Sequence, residues 1–157
     1  MFALDHLYDD DISLSAGFDL DEVGFGLVES GVRKLVRTLW QLGYRTVGSC
    51  AGHEVGREPY PRVTIPIDLA TEGPMKKLAE AVARFNMSRG KDGCLPMAKE
   101  TWVFNLLIPP TGFSIYLQPC DNNPKRSRER LVELRESADL LAAFFEKQCS
   151  DIFQRTI

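Results

Sequence analysis

Histidine is scarce and cysteine is unpaired along these 157 residues: there are two histidines and four cysteines, and no Cys-x-x-Cys pair occurs. The scattered thiols Cys50, Cys94, Cys120 and Cys149 speak against a disulfide framework and against the twin knuckles of a closed structural zinc site. No apolar run approaches the roughly 18 residues of a membrane span. The opening MFALDHLYDDD has neither the basic region nor the apolar core of a secretory signal. These absences point to a cytoplasmic protein with reduced thiols. Repeats and low-complexity tracts are missing too, which removes solenoids and extended disorder from consideration.

Positive charge is also missing from one region. Residues 1–30 hold eight Asp and Glu but no Lys or Arg, whereas the rest carries 19 cations against 14 acids, under a chain total of −3. The sequence thus predicts an acidic, loosely structured arm at 1–26. Such an arm either lies on a basic face, leaves the basic part for an acidic partner, or keeps the protein solvated. What is present elsewhere, 44% hydrophobic and 26% charged residues, suits one globular domain over 1–157.

Within that domain the period of the apolar residues changes several times. Val28, Val32, Leu35, Val36, Leu39 and Trp40 recur at three and four, predicting an amphipathic helix over 27–42 with Gly43 as its left-handed stop. Residues 44–50 read as a strand, 51–61 as a loop and 62–67 as a second strand with Val63, Ile65 and Ile67 on one face. Gly73-Pro74 opens a helix to about residue 87, with Met75, Leu78, Ala79, Val82 and Phe85 inward. Residues 101–108 and 113–118 form a hairpin across Pro109-Pro110-Thr111-Gly112. Trp102, Phe104, Leu106, Ile108, Phe113, Ile115 and Leu117 face inward, and Asn105, Ser114, Tyr116 and Gln118 outward. A long helix over 127–154 closes the chain. The order α-β-β-α-β-β-α predicts an α+β fold, a mostly antiparallel four-stranded sheet covered by helices, because parallel βαβ units would need a helix after every strand.

The chemistry concentrates at Ser49-Cys50-Ala51-Gly52-His53, where a strand runs into a glycine loop. Cys50 and His53 are the candidate catalytic pair, with the imidazole as base or as the group that favours the thiolate. Ser49, Gly52 and the loop N–H groups are candidate contacts for a small molecule or anion, and Arg45, Arg57 and Arg62 candidate charge partners. The competing structural reading is a buried thiol packed as a small hydrophobe, with His53 hydrogen-bonded into the loop. Zinc needs about four ligands and only Cys50-x-x-His53 supplies a local pair, so no metal is assigned; zinc at Cys50 and His53, completed by an acid, is the minor alternative.

Two further features bear on partners. Lys125-Arg126-Ser127-Arg128-Glu129-Arg130 gathers four cations at a helix start, a position that favours negative charge, so a phosphate or the acidic arm would relieve it, as would plain solvation. The acidic total and the lack of aromatics among these cations argue against nucleic acid. The last helix carries Leu131, Leu134, Ala138, Leu141, Phe145, Gln148 and Ile152 at alternating three and four, widened by Val132, Leu140 and Phe144. Surplus apolar surface there would make a homodimer, and the alternative function is accordingly a non-enzymatic interaction module joined through this helix.

The segment Leu42-Gly43-Tyr44-Arg45-Thr46-Val47-Gly48-Ser49-Cys50-Ala51-Gly52-His53 resembles one in small uncharacterised bacterial and phage proteins that carry a Ser-Cys-x-Gly-His loop after a helix. Its Ser49-Cys50-Ala51-Gly52 part is also similar to the Ser-Cys-Ser-Gly-Arg loop of the wybutosine-synthesising tRNA methyltransferase-like family, with His53 in place of that family's Arg. The first resemblance implies no particular activity. The quoted stretch covers about a dozen residues, and the acidic chain is unlike a tRNA binder, so S-adenosylmethionine and tRNA do not carry over.

Overall fold

The computed structural model describes residues 28–53, 60–67, 72–88, 100–107, 113–120 and 127–148. The acidic arm, Arg57, Cys94, Ile108, Lys125, Arg126, Cys149 and Ile152 lie outside the described residues. Helix α1 (Ser30–Gln41) leads to strands β1 (Gly48–Cys50) and β2 (Arg62–Ile67). Helix α2 (Glu72–Ser88) follows, then β3 (Thr101–Leu107), β4 (Phe113–Cys120) and helix α3 (Arg128–Lys147). The strands form one antiparallel sheet in the order β1-β2-β4-β3. The fold is α+β, as the changes of period predict.

Helix α1 buries Val32, Leu35, Val36 and Leu39 on its apolar stripe and ends where the sequence predicts. Gly43 takes φ +91°, its N–H donates to the Trp40 carbonyl at 3.0 Å, and the Tyr44 N–H donates to the Leu39 carbonyl at 2.8 Å. This pair of bonds is a Schellman closure, with buried Tyr44 folded back against the core. The closure shortens the following strand. Residues 44–50 read as β-type, yet Tyr44 belongs to the helix stop and the Thr46 hydroxyl accepts the Trp40 indole N–H at 2.7 Å, so only Gly48–Cys50 form a strand.

The helices cover one face of the sheet, where Val63, Ile65, Trp102, Ile115 and Leu117 are buried. Trp102, 1% exposed, ties the layers together: its indole N–H donates to Ser137 Oγ of α3 at 2.9 Å. Its backbone N–H and carbonyl both pair with the Asn86 side chain at 2.9 Å. Asn86 thereby satisfies main-chain groups on edge strand β3 and blunts that edge. On the other face the register aligns Asn105, Tyr116 and Thr64 in one row, with the Arg62 guanidinium 4.4 Å from the Tyr116 ring centroid. The outward polar set is therefore where the alternation predicts it.

Some inward expectations fail. Leu106 and Phe113 are exposed, because they lie at the turn end of the β3–β4 hairpin, away from the Trp102 end to which Asn86 and Ser137 fasten the helices. Ala79 is exposed and Ala81 buried, a rotation of the inward face of α2. On α3, Leu131, Leu134, Ala138, Leu141 and Phe145 are buried within the chain, and the Phe144 ring meets Phe85 edge-on at 5.6 Å. Most of the stripe that suggests a dimer is thus covered by the chain itself. Of the cations at the start of α3, Arg130 is accommodated: Ser127 caps its N–H, and its side chain reaches buried Glu100 at 2.8 Å and Glu133 at 2.9 Å. Among the described residues no helix is long and apolar enough to cross a membrane.

The Tyr44 phenol donates to the Pro74 carbonyl at 2.6 Å, and burial pushes its pKa from 10.0 up to about 12. Folding holds this proton more tightly than the unfolded chain does. The stabilisation is therefore complete below pH 10 and declines as pH rises towards 12. Denaturant midpoints measured at pH 8 to 12 are expected to fall more steeply for the natural chain than for Tyr44→Phe. The phenylalanine variant starts about 1 kcal/mol lower, having lost the hydrogen bond. Equal slopes would contradict the assignment.

Candidate functional site

The loop 51–53 leaves the sheet at Cys50, which closes β1 opposite Arg62, and passes between the start of α1 and the middle of α3. Glu29 is the N-cap residue of α1, but its side chain makes no cap bond to its own helix. Its carboxylate crosses to the loop instead: Oε2 accepts the Ala51 N–H at 2.6 Å, and Oε1 lies 3.4 Å from His53 Nε2. Glutamate is not among the residues that cap helices well, so this carboxylate is available to hold another segment.

The loop is gripped from the opposite side by Arg135 of α3. Its side chain is fully buried; Nε donates to the Ala51 carbonyl at 2.8 Å and an Nη to the Gly52 carbonyl at 2.6 Å. Ala51 is therefore held at its N–H by an anion and at its carbonyl by a cation, both through charge-assisted bonds. Gly31 makes room for this arrangement: a Cβ there would stand 2.7 Å from Arg135 Cδ and 2.9 Å from Ala51 Cβ. Gly52 adopts φ +80° and presses on the backbone of Tyr60 and Pro61 and on the Leu131 side chain. Its N–H points back to Cys50 Sγ at 3.3 Å.

The result is a convergence of three donor types. Cys50 Sγ, an imidazole nitrogen of His53 and a carboxylate oxygen of Glu29 lie within 4.8 Å of one another. Cys50 is buried, while the His53 and Glu29 side chains are 35% and 18% exposed, so the cluster opens to solvent on their side. The Ala51 and Gly52 N–H groups already donate to the carboxylate and to the sulfur.

The other predicted residues divide. Cys50, Gly52 and His53 are brought together; Ser49 is the half-buried neighbour of Cys50, opposite Val63. Arg62 sits across from Cys50 in the sheet but stacks on Tyr116. Arg45 is exposed and borders a separate cavity of about 420 Å³ with Trp40, Gly43, Tyr44 and Thr46. Sequence reading missed Glu29, Gly31 and Arg135. A signal existed for Arg135: it stands four residues after Leu131 and three before Ala138, a charge inside the buried stripe of α3. No protein-family model, curated protein or solved structure matches the chain.

Proposed function

We propose that the Cys50–His53 loop, together with Glu29, is the ligand site of this protein, and that it takes a small electron-pair acceptor through the Cys50 sulfur. The observation that supports this most is the convergence of sulfur, imidazole and carboxylate within 4.8 Å on a loop clamped by a buried guanidinium. Burying Arg135 carries a large desolvation cost, offset only by well-placed bonds, and those bonds hold Ala51 and Gly52 still. An anion fits this cluster poorly, since the loop donors are already engaged. Arg135 and Gly31 act as positioning groups; Cys50, His53 and Glu29 face the ligand.

A catalytic version of the same reading is favoured by the Glu29–His53 pair at 3.4 Å. Thiol, imidazole and carboxylate are the residue types that thiol-based acyl transfer uses as nucleophile, base and orienting acid. In that version the Cys50 sulfur adds to the carbonyl carbon of an activated acyl group as His53 takes the thiol proton; the bond to the leaving group then breaks, His53 returns the proton to that group, and Glu29 steadies the imidazolium between the two steps.

Both versions give Cys50 a nucleophilicity that its burial alone would deny. In the metal-free full chain, iodoacetamide at neutral pH is expected to modify buried Cys50 about 10-fold faster than exposed Cys120, read by peptide mapping. His53→Ala should bring the Cys50 rate down to or below that of Cys120. A Cys50 that reacts more slowly than Cys120 in the natural chain would overturn the reading.

A further inference from the structure

We propose that Glu29, Cys50 and His53 together bind one zinc-class divalent ion, with a fourth coordination position facing solvent. The inference rests on the reading of this loop as the ligand site and names the ligand. The donor set is one thiolate, one imidazole and one carboxylate, a combination that suits zinc and is foreign to magnesium and calcium, which require oxygen ligands. Thiolate and carboxylate carry two negative charges, which a divalent ion neutralises where they meet.

Distances agree with this assignment. Nitrogen and oxygen ligands about 2.0 to 2.2 Å from zinc at a tetrahedral angle lie about 3.4 Å apart. That is the separation of His53 Nε2 and Glu29 Oε1, and it exceeds the span of an ordinary N–H···O hydrogen bond. The sulfur completes the triangle within 4.8 Å, so closing onto an ion needs a movement of about 1 Å or less, given the longer Zn–S bond.

The surroundings are those of a supported ligand set. The second Glu29 oxygen is fixed by the Ala51 N–H, and Cys50 Sγ accepts the Gly52 N–H. Each anionic ligand is thus oriented by a backbone donor of the same short loop, the outer-layer arrangement that fixes metal ligands and tunes their basicity. Arg135 supplies no ligand but holds the carbonyls of those same two residues. Three ligands from a helix N-cap, a strand end and the following loop, with two side chains partly exposed, leave room for water or a substrate atom in the fourth position.

The full chain, stripped with a chelator, should be titrated with zinc against a chromophoric competitor, and with cobalt as a spectroscopic stand-in. The expected result is one ion per chain and a sulfur-to-cobalt charge-transfer band. Cys50→Ser should abolish that band and weaken zinc binding at least about 100-fold, and Glu29→Gln should weaken it about 10- to 100-fold. Cys120→Ser should change neither. The glutamine variant keeps an acceptor for the Ala51 N–H, so its loss of binding is not a loss of the fold. Zinc should also protect Cys50 from iodoacetamide. Absence of stoichiometric zinc, or binding unaffected by Cys50→Ser, overturns the inference. If Cys50 then still outpaces Cys120 in a His53-dependent way, the ligand site stands and only its metal falls; if that also fails, both fall.

Discussion

Arg135→Met is expected to destabilise the protein by about 1 to 3 kcal/mol, because two buried carbonyls lose their donors. Two effects oppose each other. Methionine relieves the desolvation of the guanidinium, which is several kcal/mol in its favour. Against this, the Ala51 and Gly52 carbonyls lose charge-assisted donors at 2.8 and 2.6 Å, and each unsatisfied buried acceptor costs about 1 to 3 kcal/mol. The loss of loop geometry adds to the second side, because Glu29 then faces an Ala51 that is no longer held from behind. The unfavourable side prevails because methionine offers no donor. Arg135→Lys restores the charge but cannot reproduce the two-pronged contact, so it should recover less than half of the loss. Urea midpoints of the three chains check the order natural, lysine, methionine. In methionine-substituted protein that is still folded, Cys50 should lose its advantage over Cys120 towards iodoacetamide. An unaltered midpoint would show that the loop is held by other contacts.

The contrast between what was legible in the residues and what was not has a physical basis. Helix α1, its stop at Gly43, strand β2 and the polar outer face of the hairpin rest on period and turn chemistry, which are local properties. The loop was equally visible as a cluster of rare residues, and Cys50, Gly52 and His53 do meet. Glu29 and Arg135 were not legible as site residues because they reach the loop from 22 and 84 positions away in sequence. Glu29 reads locally as the start of a helix and Arg135 as one more charge on a charged helix. Only tertiary packing turns the first away from its own helix and buries the second. Only Arg135 leaves a visible trace, as an arginine in phase with leucines. The exposed Leu106 and Phe113 are the converse misfit, since alternation predicts which face a side chain occupies but not how far the covering helices extend.

Gly52→Ala is expected to cost about 2 to 5 kcal/mol and to disable the site in whatever protein remains folded. The backbone contributes first, because φ +80° places an alanine Cβ in a conformation about 1 to 2 kcal/mol less favourable than the right-handed one. Contact contributes next. A Cβ at this position would stand 2.8 Å from the Tyr60 carbonyl carbon, 2.9 Å from Leu131 Cδ1 and 3.0 Å from the Pro61 nitrogen. Leu131 has some freedom to turn, but the Tyr60–Pro61 peptide is main chain leading straight into β2, so the strain of about 1 to 3 kcal/mol is relieved only by shifting the loop. That shift draws the Gly52 N–H from Cys50 Sγ and the Gly52 carbonyl from Arg135. Gly43→Ala is the internal control. Gly43 has a similar positive φ of +91° but nothing within 4 Å of its Cβ position, so it should cost only the backbone part, about 1 to 2 kcal/mol, and leave Cys50 labelling unchanged. Chemical denaturation of both variants, with labelling of Cys50 under native conditions, separates conformational strain from close approach. Equal losses in the two would mean that the packing of Gly52 against Tyr60, Pro61 and Leu131 has no part in holding the loop.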